Sequence, residues 1–319
     1  MLTLPDFKEK KVVYIIPKDG IDKSLKLENS NLCLMENDKV TAKLTLHTVL
    51  SVMIIGDCTI TTNLINKLTE MGISIYFLGF DLKNKNHINS IADGNYQLRE
   101  KQYKLSAIEL LNISKLIVKN KIKNQRQILI KTKKGDLEKV EERLLKQVDE
   151  STMLQNLLAR EGYFASKYFP LIFTDFNWYR RAPRTKEDAI NLILDTGYTI
   201  LFNYVDSLLA LFGFDLYKGV YHQEFYKRKS LVCDLVEPLR PIIDYSIVKA
   251  FNLKQFNVEK DFKVYNDEHT FKDYDVRKRY LNVYTEALLN DKEKIYDYVL
   301  CFYRFIMNPE KYSYKEFLI

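Results

Sequence analysis

Four side chains in the second half of the chain have the types and spacing of a hard-metal site. His222 stands in Gly219-Val-Tyr-His222-Gln, after the loop from Phe212 to Gly219, and Asp234 and Glu237 follow it. Asp234 and Glu237 are three positions apart on a helical pattern, so both project from one face, among Leu231, Val232, Leu235, Val236 and Leu239. Carboxylates half-embedded in such a surface are costly unless they are paired or bind a cation. Two partners are open to Glu237: a metal ion, or Arg240 one helical turn on. Glu161 is the third acid. Small Gly162 and Ala165 leave room beside it for a ligand, while Arg160 and Lys167 offer it an ordinary charged rim instead. Two carboxylates and one imidazole suit Mg²⁺ or Mn²⁺, with positions left for water and phosphate. The other histidines, His47, His87 and His269, fall in a strand pattern, a polar linker and a charged loop. With no second histidine near His222, non-haem iron is disfavoured and phosphodiester chemistry is favoured.

Charge points the same way. The 319-residue chain carries a formal net charge of +7, a moderate basic excess compatible with nucleic acid. Lys115, Lys119, Lys121, Lys123, Arg126, Lys131, Lys133 and Lys134 follow one another with no intervening acid. Arg180, Arg181 and Arg184 form a second cluster, and Lys227, Arg228 and Lys229 a third. A single basic run reads as a solvated helix face. Three that flank candidate catalytic residues read as a phosphate-binding surface. Arg180, Arg181, Arg184 and Lys229 are expected to grip phosphates near the site, and Lys121, Lys123 and Arg126 to follow the duplex farther away. Tyr163 and Tyr168 fit either base stacking or a place in the core.

The elements that must position these groups fall into two halves. At 46% hydrophobic and 29% charged residues, the chain can bury a core. Lys11–Pro17, Asn31–Glu36, Lys43–His47, Leu50–Ile55 and Ile73–Leu78 read as strands. Thr59–Glu70 reads as a helix that Thr59 caps and Gly72 stops. From Gln97 the patterns are helical: Gln97–Lys119, Lys123–Lys133, Leu137–Val148, Met153–Tyr168, Thr185–Phe212, Ser230–Lys249 with a break near Pro238, Tyr280–Leu289 and Lys292–Met307. The fold class is therefore α+β with two domains: a β-rich, β-sandwich-like domain over 1–84, a linker over 85–98, and a larger all-α catalytic domain over 99–319. Cys33, Cys58, Cys233 and Cys301 show no zinc-ligand pairing and read as buried free thiols. No apolar run approaches the ~18–20 residues of a membrane span, and the stretch from Met1 to Lys11 has no signal-peptide pattern. No membrane partner is expected, and the expected location is the cytoplasm.

The ordered motifs resemble those of the CRISPR-associated adaptation integrase family, the endonucleases that insert new spacers into CRISPR arrays. The likeness covers nearly the full length. Its most specific stretch holds Arg180-Arg-x-Pro-Arg184, Asp188-Ala-Ile-Asn191, Thr196-Gly-Tyr198, Gly213-Phe-Asp215, Gly219-x-x-His222 and Ser230-Leu-Val-Cys-Asp234-Leu-Val-Glu237-Pro-Leu-Arg240-Pro241. Arg99-Glu-Lys-Gln102-Tyr103, Lys121-Ile-Lys-Asn124-Gln125 and Glu161-Gly-Tyr-Phe-Ala-x-x-Tyr168-Phe169 match upstream. The resemblance implies Mg²⁺ or Mn²⁺ at Glu161, His222 and Glu237. Glu237 replaces the aspartate that is common there, and Asp234 takes a supporting role. It also implies strand transfer of a DNA 3′-hydroxyl onto a CRISPR repeat, double-stranded DNA (prespacer and repeat) as partner, a homodimer formed through the sheet domains, and a small adaptation protein bridging two dimers. The alternatives are a metal-dependent nuclease or transposase-like strand transferase outside CRISPR, and a non-catalytic DNA-binding scaffold.

Overall fold

Asparagine sets the turns of the N-terminal half. Asn29-Ser30 and Asn37-Asp38 each place two successive residues at positive φ (46° and 60°, 47° and 62°). That is the two-residue turn whose twist matches paired strands, and asparagine tolerates it. These turns join β2 (Lys23–Glu28) to β3 (Asn31–Glu36) and β3 to β4 (Lys39–Thr45). Before them come a short helix α1 (Leu4–Lys8) and strand β1 (Lys11–Ile15); after them come β5 (Val49–Ile55), β6 (Thr59–Ile60), helix α2 (Thr62–Glu70), β7 (Ser74–Leu78) and β8 (Asn84–Ile88). This computed structural model describes residues 4–16, 21–88, 95–176, 178–223 and 225–319.

The strands form two four-stranded sheets, ordered β1-β5-β7-β8 and β4-β3-β2-β6. In the first, β1, β5 and β7 run parallel and β8 closes antiparallel. The β5-α2-β7 connection is the expected strand–helix–strand unit. Thr61 caps α2 by accepting from Leu64 N at 3.4 Å, in place of Thr59, which pairs in β6. Gly72, at φ +76°, ends it. Every residue of β5 is buried. Leu25, Leu32, Val52, Ile54, Leu64 and Ile75 lead the core of this half.

The β-rich half followed by a larger helical half matches the expected fold class. The segment 85–98 is not all linker. Asn84–Ile88 pairs with β7, and α3 (Tyr96–Tyr103) begins before its end; residues 89–94 of it lie outside the described residues. The chain divides into one unit of residues 1–102 with 203–215 and a second of 103–202 with 216–319. The Arg99/Gln102 and Gly213/Asp215 motifs meet within the first unit. Arg99 Nε donates to Gly213 O at 3.1 Å. Gln102 donates to Asp215 O at 2.8 Å and accepts from Asp215 N at 3.1 Å. His47 sits in a single 3₁₀ turn, and His87 in β8 with its ring stacked on Tyr76.

The second unit begins at a capping box. Ser106 accepts from Glu109 N, and the Glu109 side chain accepts from Ser106 N at 2.8 Å. This starts α4 (Ala107–Thr132), one helix where the periodicity suggested two. α5 (Glu138–Asp149) and α6 (Leu154–Ile172) follow, then α7 (Ala189–Phe212). α7 begins after Asp188, whose Oδ1 accepts from Asn191 N at 2.7 Å. The break near Pro238 is present: α8 (Ser230–Val236), a 3₁₀ turn over Glu237–Leu239, then α9 (Arg240–Asn252). The helical half also carries a β-hairpin, β9 (Phe262–Tyr265) and β10 (Glu268–Phe271), turned by Asn266-Asp267 and holding His269. α10 (Tyr274–Asn290) and α11 (Lys292–Met307) complete it. All four cysteines are free thiols, Cys33 buried and the others half-buried. Among the described residues no helix is long and apolar enough to cross a membrane.

Candidate metal site and nucleic-acid interface

α4 supplies the cation around which the site is organised. Its buried stripe of Ile113, Ile117, Val118, Ile122 and Ile128 also contains Lys121, which is 7% exposed. The Lys121 ammonium donates to Glu161 Oε1, from the middle of α6, and to Glu237 Oε2 at 2.5 Å. The other oxygen of Glu161 accepts from the Tyr221 hydroxyl. Arg240 Nε lies 3.0 Å from the same Glu237 oxygen, Oε2, as an ion pair lacking hydrogen-bond alignment. The Arg240 guanidinium also sits over the Tyr198 ring at 4.6 Å. Burial alone would raise the Glu237 carboxyl. Arg240, Lys121 and His222 outweigh it and hold the group down at about 2, from 4.5. Burial likewise opposes the Lys121 charge, but Glu161 and Glu237 raise its pKa and keep it an ammonium.

His222 is fixed by Asp234, which is fully buried. Asp234 Oδ2 accepts from Val220 N at 2.6 Å and Tyr221 N at 3.1 Å. Its Oδ1 accepts from His222 N at 2.8 Å and lies 2.7 Å from His222 Nδ1. A carboxylate facing Nδ1 makes that nitrogen the donor, so in the neutral ring the lone pair is on Nε2. Gly219 is required by close approach: a Cβ there would stand 2.7 Å from Ser230 Cβ and 2.9 Å from Asp234 Oδ2. Asn124 holds the backbone that presents Glu237, donating to Pro238 O at 2.9 Å. Asp234 and Glu237, expected on one helical face, serve different partners: Asp234 holds the Val220–His222 backbone and the His222 ring, while Glu237 faces Lys121 and Arg240.

Glu161 and Glu237 are brought together by one shared cation, and His222 directly follows Tyr221, whose hydroxyl reaches Glu161. Among the described residues, no three His, Cys, Asp or Glu side chains converge as a ligand set. The donors nevertheless fit a hard divalent ion in kind. Two carboxylates already hold a positive charge between them, and an oriented imidazole has its second nitrogen available for a metal.

The expected phosphate contacts are sorted by burial. Lys121 is enclosed between two acids, which its place in a basic run concealed. Lys123 pairs with Glu316 at 2.7 Å, and Arg126 reaches Asp136 (2.6 Å), Glu138 (3.1 Å) and Glu141 (3.0 Å). Lys119 pairs with Asp149 and Lys134 with Asp175. Lys119, Lys123, Arg126 and Lys134 therefore tie α4 and its C-terminal end to neighbouring segments through ion pairs. Arg181 is spent on Asp195 (2.5 Å) and Asn191 (2.9 Å), and Lys229 is buried. Arg180, with a 3.4 Å ion pair to Glu187, and Arg184 remain exposed. Tyr168 belongs to the core: its hydroxyl and that of Tyr198 donate to buried Asp244 at 2.8 and 2.5 Å. Tyr163 is exposed, its ring facing Arg143 and Lys167. Sequence reasoning quoted Tyr221 and Asn124 within motifs but gave them no role. The signal for Lys121 was a lysine recurring at the apolar spacing of α4, four residues after Ile117.

Residues 19–286 match the family described as CRISPR associated protein Cas1. The chain belongs to the Cas1 family. It is similar to a CRISPR-associated endonuclease Cas1 of Thermodesulfovibrio yellowstonii, 28% identical over 264 residues, covering 76% of this chain and 81% of that one. A CRISPR-associated endonuclease Cas1 of Archaeoglobus fulgidus is 27% identical over 272 residues, with 76% and 79% covered. In fold it is similar to a Cas1 protein from Thermotoga maritima, with TM-score 0.83 at 19% identity over 96% of this chain and all of that one. A casposase bound to integration product has the same fold, with TM-score 0.79 at 16% identity, covering 97% and 94%. Two-domain Cas1 architecture is therefore the frame in which the Glu161–Lys121–Glu237 cluster is built.

Proposed function

We propose that this Cas1-family chain is a metal-dependent DNA endonuclease and integrase of CRISPR adaptation, joining the 3′-hydroxyl ends of foreign DNA fragments to a CRISPR repeat. The observation that carries the reading is the convergence of Glu161 and Glu237 on one cation, with His222, the neighbour of the Tyr221 that holds Glu161, oriented by Asp234. Glu161, Glu237 and His222 Nε2 would hold Mg²⁺ or Mn²⁺. When bound, such an ion polarises a phosphate oxygen and eases deprotonation of the attacking hydroxyl. The protein's own part is positional. Asp234 keeps the imidazole in one tautomer, and Tyr221 fixes the rotamer of Glu161. Arg240 sustains the charge of Glu237. Exposed Arg180 and Arg184 supply donors to flanking phosphates. With a 3′-hydroxyl as nucleophile the product is a joined strand; with water it is a cut one. The sheet-rich unit is the proposed homodimer element, and a small adaptation protein is the proposed bridge between dimers. Relatives support this assembly: a solved structure of similar fold is a Cas6-RT-Cas1–Cas2 complex.

The test is strand transfer into a supercoiled repeat-bearing plasmid, with a scrambled repeat as control and with and without a small partner. Glu161→Ala, His222→Ala and Glu237→Ala should each abolish joining while DNA binding persists. Activity retained in all three sinks the site assignment, and equal joining to the scrambled target favours a strand transferase outside CRISPR.

A further inference from the structure

The cation between Glu161 and Glu237 is part of the protein itself. We infer that Lys121 is the resident counter-ion of this site: it holds the two carboxylates in the metal-free chain, competes with a divalent ion for them, and must withdraw when that ion binds. The inference rests on the proposed metal reading and adds a positioning residue to it. Its first support is contact. The ammonium meets one oxygen of each acid, so an ion chelated by the same two carboxylates competes for the same oxygens.

The second support is a charge count. Glu161 and Glu237 carry two negative charges; Lys121, in contact with both, and Arg240, in contact with Glu237, carry two positive ones. Asp234 is separately satisfied by three backbone N–H groups and the His222 ring. Adding a divalent ion with both cations in place would leave these four groups and the ion two charges positive, only partly offset by Asp234 nearby, which a low-dielectric interior penalises. Withdrawing the ammonium removes one, and an incoming phosphodiester balances the other. Arg240 is the less movable cation, because its guanidinium is seated on Tyr198 while it faces Glu237.

The third support is that only the lysine side chain needs to move. α4 is pinned on both sides of Lys121. Asn120 exchanges two hydrogen bonds of 2.8 Å with the backbone of Phe317, and Asn124 donates to Pro238 O and Phe317 O at 2.9 and 2.8 Å. The flexible four-carbon stem can carry its charge away while the helix stays fixed. Glu161 keeps Tyr221, and Glu237 keeps Arg240, so neither acid loses its orientation when the ammonium leaves.

The experiment is Mn²⁺ binding to the full chain stripped with chelator, read as free Mn²⁺ by electron paramagnetic resonance, with thermal melting in parallel. Lys121→Gln should bind Mn²⁺ about tenfold more tightly or better, since a competing charge at contact distance has gone. It should melt below wild type when stripped and gain more from Mn²⁺. Lys121→Arg, which keeps the charge, should show no such gain in affinity. Wild-type binding with equal or weaker binding in Lys121→Gln overturns the inference and leaves the metal site standing. Absence of binding in both overturns the metal reading, and this inference with it. Binding only by Lys121→Gln supports competition. Should Lys121→Gln fail to fold when stripped, recovery in Mn²⁺ supports the inference. Failure in Mn²⁺ as well, with Lys121→Arg folded, makes Lys121 purely structural and overturns it.

Discussion

Replacing Asp234 by asparagine tests the site at one proton. The side chain is fully buried and its two oxygens accept from four N–H groups. Asparagine keeps the shape but turns one oxygen into an NH₂. Facing Val220 and Tyr221, that NH₂ would oppose two backbone donors that cannot reverse. Facing His222, it opposes one backbone N–H and a ring nitrogen that can change role, so this orientation costs less. The imidazole then accepts at Nδ1 and carries its proton on Nε2. One buried N–H is left stranded, at a cost of about 1–3 kcal/mol. Urea unfolding should show a loss of that size with cooperativity intact. The functional loss should be larger than the stability loss accounts for, because Nε2 no longer offers a lone pair. Mn²⁺ affinity should fall at least about 10–100-fold, the usual cost of removing a partner that orients a ligating histidine. Nitrogen-15 NMR of the histidine rings reads the tautomer directly. An Asp234→Asn protein that keeps the Nε2 lone pair and wild-type Mn²⁺ affinity would refute the assignment of Asp234 as the group that orients His222.

Burial raises the Asp244 carboxyl from 3.8 to about 6, against the lowering effect of hydrogen bonds from Tyr198 and Tyr168. Between those values the unfolded chain has released a proton that the folded chain retains. Stability from this group therefore falls as pH rises from about 4 to 6, by at most about 3 kcal/mol. Asp244→Asn should remove that slope in urea unfolding across pH 4–7, and a slope identical to wild type would count against the account. For the basic residues, Arg126→Ala should cost about 1–2 kcal/mol through its carboxylate network and leave the salt dependence of DNA binding unchanged. Arg184→Ala should leave stability alone and reduce the log–log salt slope by about 1. The reverse pattern would return α4 to the DNA surface.

Local chemistry was legible wherever the information lies within a few residues. The β5-α2-β7 unit, the stop at Gly72, the break at Pro238 and the helices near the C-terminus follow from periodicity and from backbone limits of glycine and proline. Strand β2 escaped notice because Lys23, Lys26 and Glu28 dilute its alternation, and the Ser106–Glu109 box, which divides α3 from α4, was overlooked although it is equally local. The donor types of the site were legible too: Glu161, His222, Asp234 and Glu237 stood out by kind.

What each charge does was decided by packing. Lys121 meets Glu161 across 40 residues and Glu237 across 116; its spacing on the apolar stripe of α4 marks it off from Lys123, which pairs at the surface, but nothing local names its partners. Whether a cation binds phosphate or staples two helices depends on which face of α4 is covered, and that is set by the long-range contacts of α6, the Glu237–Leu239 turn and α9. The sequence by itself determined the two-part architecture and the inventory of acids, imidazole and bases. Tertiary structure alone decided the pairings, because the energy of a charge depends on burial and on the partner within a few ångströms, and both are properties of chain segments far apart in sequence.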